Sequence, residues 1–212
     1  MHEPTISTIR INGGRLSLDF VNTATWTAGR LDTDFLLRFA DLVAWGERES
    51  LIDRAEASEL LLRAGQGRTD GIATVVEARE LRGALRALLE PGTPQPCVRD
   101  ALDLLNGVVR RTFPMLWVET GGSAIRYAPA AALGAWLLGP VAVSALELAT
   151  SPARSMVRVC PGDGCRWLFL DHSRNATRRW CSMQSCGNKA KARAHYDTHR
   201  RKTVRLASDI TP

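Results

Sequence analysis

Lysine is missing from the first 188 residues, and His2 is the only histidine before His172. No glycine-rich phosphate loop and no other catalytic motif fills that gap, so the chain is expected not to be an enzyme. No basic n-region or apolar h-region follows Met1, which predicts no signal peptide and a cytoplasmic setting, where thiols stay reduced. Internal repeats and long low-complexity tracts are absent as well. Long hydrophobic runs are scarce. One uncharged stretch, Ala128 to Leu146, has 19 residues, near the length of a membrane span. Seven of them are alanine, Gly139-Pro140 interrupts the run and no basic cluster flanks it. That composition predicts a buried helix pair around a Gly-Pro break, with no membrane span.

What is present is a chain of 212 residues, 45% hydrophobic, long enough for one large domain or a medium domain with a small appendage. Charge divides it sharply. Residues 154–212 carry 13 Lys+Arg against 4 Asp+Glu, whereas residues 1–153 carry 15 against 18, so a tail of +9 follows a body of −3. Such asymmetry points to a polyanionic partner for the tail. The short polar segment Thr150-Ser151-Pro152-Ala153 marks the expected boundary.

Periodicity predicts an α+β fold: a mostly helical N-terminal domain with small β-hairpins, then a small four-cysteine module built as knuckle, hairpin and helix. Residues 5–21 alternate around Asn12-Gly13-Gly14 and predict a hairpin, with Leu16, Leu18 and Phe20 on one strand face. Helices are expected over Asp32 to Leu51, Asp53 to Ala64, Ile72 to Leu89 and Val98 to Thr112. A second hairpin is expected over Met115–Val118 and Ala124–Tyr127.

Four of the five cysteines are paired: Cys160 and Cys165 around Pro-Gly-Asp-Gly, then Cys181 and Cys186 around Ser-Met-Gln-Ser. In a reducing compartment, paired spacing of this kind favours one tetrahedral zinc ion over disulfides. Four thiolates close the coordination sphere, so the zinc is expected to be structural, although His172, His195 and His199 stand near enough in sequence to compete. Four thiolates and one Zn²⁺ leave the tail at about +7. Arg166 to Asp171 reads as a strand beside the site, and Asn188 as the cap of a helix beginning at Lys189. Cys97 stands apart as an ordinary thiol.

The positive charge lies against this site. Arg174, Arg178 and Arg179 precede Cys181, and Lys189, Lys191, Arg193 and Arg200 follow Cys186. DNA fits such a pattern, since phosphates attract these side chains and a helix fits the major groove. A solvated helical face, an RNA-binding face and a face for an acidic protein remain open on charge alone.

The run Cys165-Arg166-Trp167-Leu168-Phe169-Leu170-Asp171, then Arg178-Arg179-Trp180-Cys181-Ser182-Met183, then Cys186-Gly187-Asn188-Lys189, resembles the CGNR zinc finger. Leu18-Asp19-Phe20-Val21-Asn22-Thr23 and Ala78-Arg79-Glu80-Leu81-Arg82 are similar to recurring motifs of the ABATE domain that typically precedes that finger. The resemblance implies a bacterial transcription regulator with an ABATE-like ligand- or stress-sensing domain over 1–150 and a DNA-binding finger over 154–205. It implies DNA contacts at Arg174, Arg178, Arg179, Asn188, Lys189, Lys191, Arg193 and Arg200. Lys189 departs from the family's arginine and lacks its bidentate fork. In the N-terminal domain, Asp19, Asn22 and Thr23 with Arg79 and Arg82 are candidates to receive a small-molecule ligand. The competing reading is capping and turn hydrogen bonding for Asp19, Asn22 and Thr23, which such residues commonly do, and surface pairing with Glu77 and Glu80 or stem packing for Arg79 and Arg82. A homodimer would suit a symmetric operator. The alternative function is a non-DNA adaptor whose basic zinc module binds RNA or an acidic protein.

Overall fold

The computed structural model describes residues 5–9, 11–27, 29–66, 70–113, 116–118, 125–127 and 134–197. Its architecture is α+β, with helices around one hydrophobic core and small two-stranded antiparallel pairs at the edges.

The chain begins with a turn rather than a strand. Thr5 to Ile9 curl through the bond from Ile9 N to Thr5 O, and Ile6 and Ile9 are buried. Gly14, at φ +86°, then feeds α1, Leu16–Val21. The hairpin expected over 5–21 is therefore corrected to a turn and a short helix. Ser17, Leu18, Phe20 and Val21 are buried together, a helical spacing that three alternating apolar residues did not distinguish from a strand. Small Ser17 lets α1 approach the later helix α6, whose Ser144 Oγ accepts from Ser17 N at 3.1 Å.

Strands β1, Ala24–Thr27, and β2, Arg30–Asp34, pair antiparallel. The helix expected from Asp32 therefore starts later, as α2, Phe39–Arg48, because residues 30–34 are taken by the strand pair. Asp41 caps its entry by accepting from Leu37 N and Arg38 N. Helix α3, Arg54–Gly65, opens on a capping box between Asp53 and Glu56. Helices α4, Asp70–Leu89, and α5, Gln95–Thr112, pack against each other. Strands β3, Leu116–Val118, and β4, Ile125–Tyr127, form the second expected pair, while Met115 and Ala124 lie outside the described residues.

After a 3₁₀ turn at Ala135–Leu137 comes α6, Leu138–Thr150. Gly139-Pro140 does not break a helix pair. Pro140 sits in the first turn of α6, where its missing N–H has no helical partner to lose. Residues 129–133 of that expected pair lie outside the described residues. Among the described residues, no helix is long and apolar enough to cross a membrane.

The core centres on α1 and α4. Phe20 meets Trp45 of α2 edge-on, with ring centroids 4.9 Å apart. Beyond a 3₁₀ turn at Pro152–Met156, strands β5, Val157–Val159, and β6, Leu168–Leu170, pair antiparallel. All three β6 residues are buried, and β6 packs on α1. The apolar cluster of the helices runs on without a gap into Leu168, Phe169 and Leu170.

Candidate metal centre

Two differently built knuckles carry the four cysteines. In the first, Cys160 extends the β5–β6 ladder by donating from its N to Trp167 O at 2.8 Å. The chain then turns so that Cys165 N reaches Gly162 O at 3.1 Å, with Gly164 at φ +64°. Gly162 is required by crowding: a Cβ there would stand 3.0 Å from Cys186 Sγ. In the second knuckle, Ser182 is extended and Met183–Gly187 forms a wide π turn closed by Gly187 N to Ser182 O at 3.0 Å. A turn of five-residue reach brings the chain back beside itself after the spacing that separates Cys181 from Cys186. Gly187 is buried, and a Cβ there would meet Met183 Sδ at 2.7 Å.

The four sulfurs lie within 4.8 Å of one another, and Cys181 Sγ is 3.7 Å from both Cys165 Sγ and Cys186 Sγ. A sulfur tetrahedron around zinc at about 2.3 Å has edges of about 3.8 Å. The donor set therefore fits one Zn²⁺, and the four cysteines can hold it. His172 and His195 are exposed and stand outside the cluster, and His199 lies outside the described residues.

Hydrogen bonds from Cys165 and Cys181 hold the Cys160 thiol far below its ordinary range. Donating to Cys160 pushes the Cys165 and Cys181 thiols up. Zinc takes its cysteine ligands as thiolates, so metal uptake must expel the protons these thiols hold.

The loop between the knuckles is internally tied. Asp171 accepts from Ser173 N at 3.0 Å, Ser173 Oγ at 2.5 Å and Arg178 N at 3.2 Å. Arg178 is bound from all sides. It donates to Leu170 O at 3.1 Å, Trp180 O at 3.1 Å, Asn12 O at 3.3 Å and Cys181 O, and lies 4.5 Å from the centre of the Phe169 ring. Four of the five guanidinium donors are thereby spent on carbonyls.

The other candidate DNA contacts differ from it. Arg174, Arg179, Lys189 and Lys191 are exposed. Arg193 is exposed and meets Asp163 of the first knuckle at 3.0 Å, a surface pair of small energy. Asn188 does not cap a helix. The π turn runs directly into helix α7, residues 188–197, and Asn188 lies inside it with Nδ2 donating to Gln184 O at 3.4 Å. The cap position falls to Ser182. Arg200 lies outside the described residues.

The five candidate ligand residues are woven into the frame. Asn22, fully buried, acts as a strand edge for the finger: its Nδ2 donates to Leu168 O at 2.8 Å and its Oδ1 accepts from Leu168 N at 2.9 Å. Thr23 Oγ1 donates to Phe20 O at 2.7 Å. Asp19 accepts from Gly13 N at 2.7 Å, and burial pushes its carboxyl up to about 6. Arg82 forms a bidentate pair with Asp34 at 2.6 and 2.7 Å. Burial alone would raise Asp34, but Arg82 and Arg79 outweigh it and hold the carboxyl below its ordinary range. Arg79 donates to Leu36 O at 2.8 Å and Leu37 O at 3.2 Å.

A seam between helices and finger emerges that sequence reasoning missed. Trp167 Nε1 donates to Ala24 O at 2.8 Å, and Leu170 N to Gly13 O at 2.9 Å. Arg86 stacks 4.7 Å above Trp26 and donates to Arg166 O at 3.1 Å, while Glu90 receives both Arg86 and Arg166. Apart from the Arg86–Glu90 pair, one helical turn apart, no local pattern marks these partners, because each contact joins residues roughly 60 to 160 positions apart in the chain.

Residues 14–152 match the model of ABATE, a family described as "Putative stress-induced transcription regulator". Residues 156–200 match the model of the CGNR zinc finger. No curated protein sequence gives a significant match.

Proposed function

Since the chain belongs to the ABATE family and carries a CGNR zinc finger, we propose that it is a zinc-dependent, DNA-binding transcription regulator of the cytoplasm. The observation that carries this is the set of exposed cations on two segments held by one metal centre. Arg174 and Arg179 sit on the loop entering Cys181, and Lys189 and Lys191 on the helix leaving Cys186. Each phosphate these residues neutralise releases counterions and adds to the salt dependence of binding.

In this reading the N-terminal domain braces the finger. Asn22 and Ala24 hold Leu168 and Trp167, so a change in α1 or β1 is felt at the first cysteine knuckle. Any ligand or stress signal received by that domain would reach the finger by this seam. The stress-response role and a dimeric state belong to the same proposal.

The test is duplex-DNA binding by the full-length, zinc-loaded protein, followed by polarisation across a salt series. Replacing Arg174, Lys189 and Lys191 together by alanine should flatten the salt slope by about 3. An unchanged slope would overturn the assignment, and preferential binding of RNA or an acidic protein would favour the adaptor alternative.

A further inference from the structure

The two adjacent arginines before Cys181 are placed for different tasks. Arg178 is half-buried and spends its donors on four carbonyls. Arg179 is exposed, and its guanidinium carbon lies 5.4 Å from the centre of the Trp180 ring. Trp180 is itself half-buried and packs against the apolar core, with Gly187 beside its ring.

A guanidinium against an indole loses little by desolvation and keeps its donors free in the plane. Resting on an anchored ring also removes much of the rotamer freedom that an exposed arginine would lose on binding. Arg179 and Trp180 form one wall of an open groove of about 600 Å³, and Met183, at the start of the π turn leading into α7, forms another. The first turn of a DNA-docked helix is where base edges come within reach.

We propose that Arg179 is a base-reading residue of the finger, taking guanine through its O6 and N7 acceptors, with Trp180 as the residue that positions it. The assignment rests on the DNA-binding reading above. It separates Arg179 from Arg174, Lys189 and Lys191, which serve phosphates and carry no sequence information. A bidentate arginine–guanine contact discriminates against other bases by about 5- to 150-fold.

The experiment selects binding sites from a random-sequence duplex pool with full-length, zinc-loaded protein, comparing wild type with Arg179→Lys, Arg179→Ala and Trp180→Leu. Wild type should enrich a motif containing guanine. Arg179→Lys should keep zinc content, thermal stability and salt slope, yet lose preference at one guanine by about 5-fold or more. Trp180→Leu, if folded, should weaken the same preference with the charge intact; Arg179→Lys decides the matter if it is not. A motif unchanged in Arg179→Lys would overturn the proposal. So would an Arg179→Ala salt slope shallower by about one with the motif retained, which marks a phosphate contact. Failure of wild type to bind any duplex would sink the DNA-binding reading itself, a result distinct from binding whose motif ignores residue 179.

Discussion

Replacing Asn22 by alanine should loosen the finger from the helices. Asn22 is fully buried at the end of α1, and its amide satisfies both backbone groups of Leu168 on β6. Alanine removes both bonds and leaves a buried N–H and a buried C=O without partners. Each orphaned group costs about 1–3 kcal/mol, and partial relaxation of the strand suggests a total of about 3 kcal/mol. For a chain of this size that lowers Tm by about 6–12 °C. The assay is urea denaturation and thermal unfolding of the zinc-loaded protein, with metal release to a chelator followed in parallel. Zinc should leave faster in the variant, because Leu168 adjoins Trp167, whose carbonyl holds Cys160 N at the edge of the β5–β6 ladder. A stability loss below about 0.5 kcal/mol with unchanged zinc release would refute the idea that this side chain couples domain to finger.

Arg178→Met keeps the aliphatic stem on Phe169 but removes the donors held by Asn12, Leu170, Trp180 and Cys181. Chelator-driven zinc loss should rise about 10-fold or more, as for other supports of metal ligands; a rate equal to wild type would contradict the clamp. Asp19 gives a pH signature. Its carboxyl rises from 3.8 to about 6 on folding, so the stabilisation it contributes is complete below pH 3.8 and fades as pH climbs through 6. The stability difference between Asp19→Asn and wild type should therefore grow in favour of the variant by up to about 3 kcal/mol between about pH 4 and pH 7. A pH-independent difference in urea midpoints would refute the assignment to Asp19.

The metal centre was largely legible because its information is local. Paired cysteines, a Pro-Gly-Asp-Gly turn and an apolar strand between them are adjacent in sequence. Helices α3 to α5 were legible for the same reason, since apolar period and the Asp53 cap are short-range signals. The N-terminal 20 residues were not, because Leu16, Leu18 and Phe20 satisfy an alternating pattern while α1 buries Leu18 and Phe20 with Ser17 and Val21. Gly139-Pro140 looked like a break because breakers and first-turn residues share one composition. The basic cluster was visible as charge, but the division between Arg178 and Arg179 was not. It depends on carbonyls presented by Asn12 and Leu170, which only the folded chain brings together.

The most direct test of zinc-dependent DNA binding is a titration of zinc into metal-stripped, reduced full-length protein in the presence of labelled duplex DNA at low salt. DNA-bound polarisation should rise in step with metal uptake and saturate at one zinc per chain, then fall when chelator is added. DNA binding that is complete before zinc is added, or absent after one equivalent has bound, would contradict it.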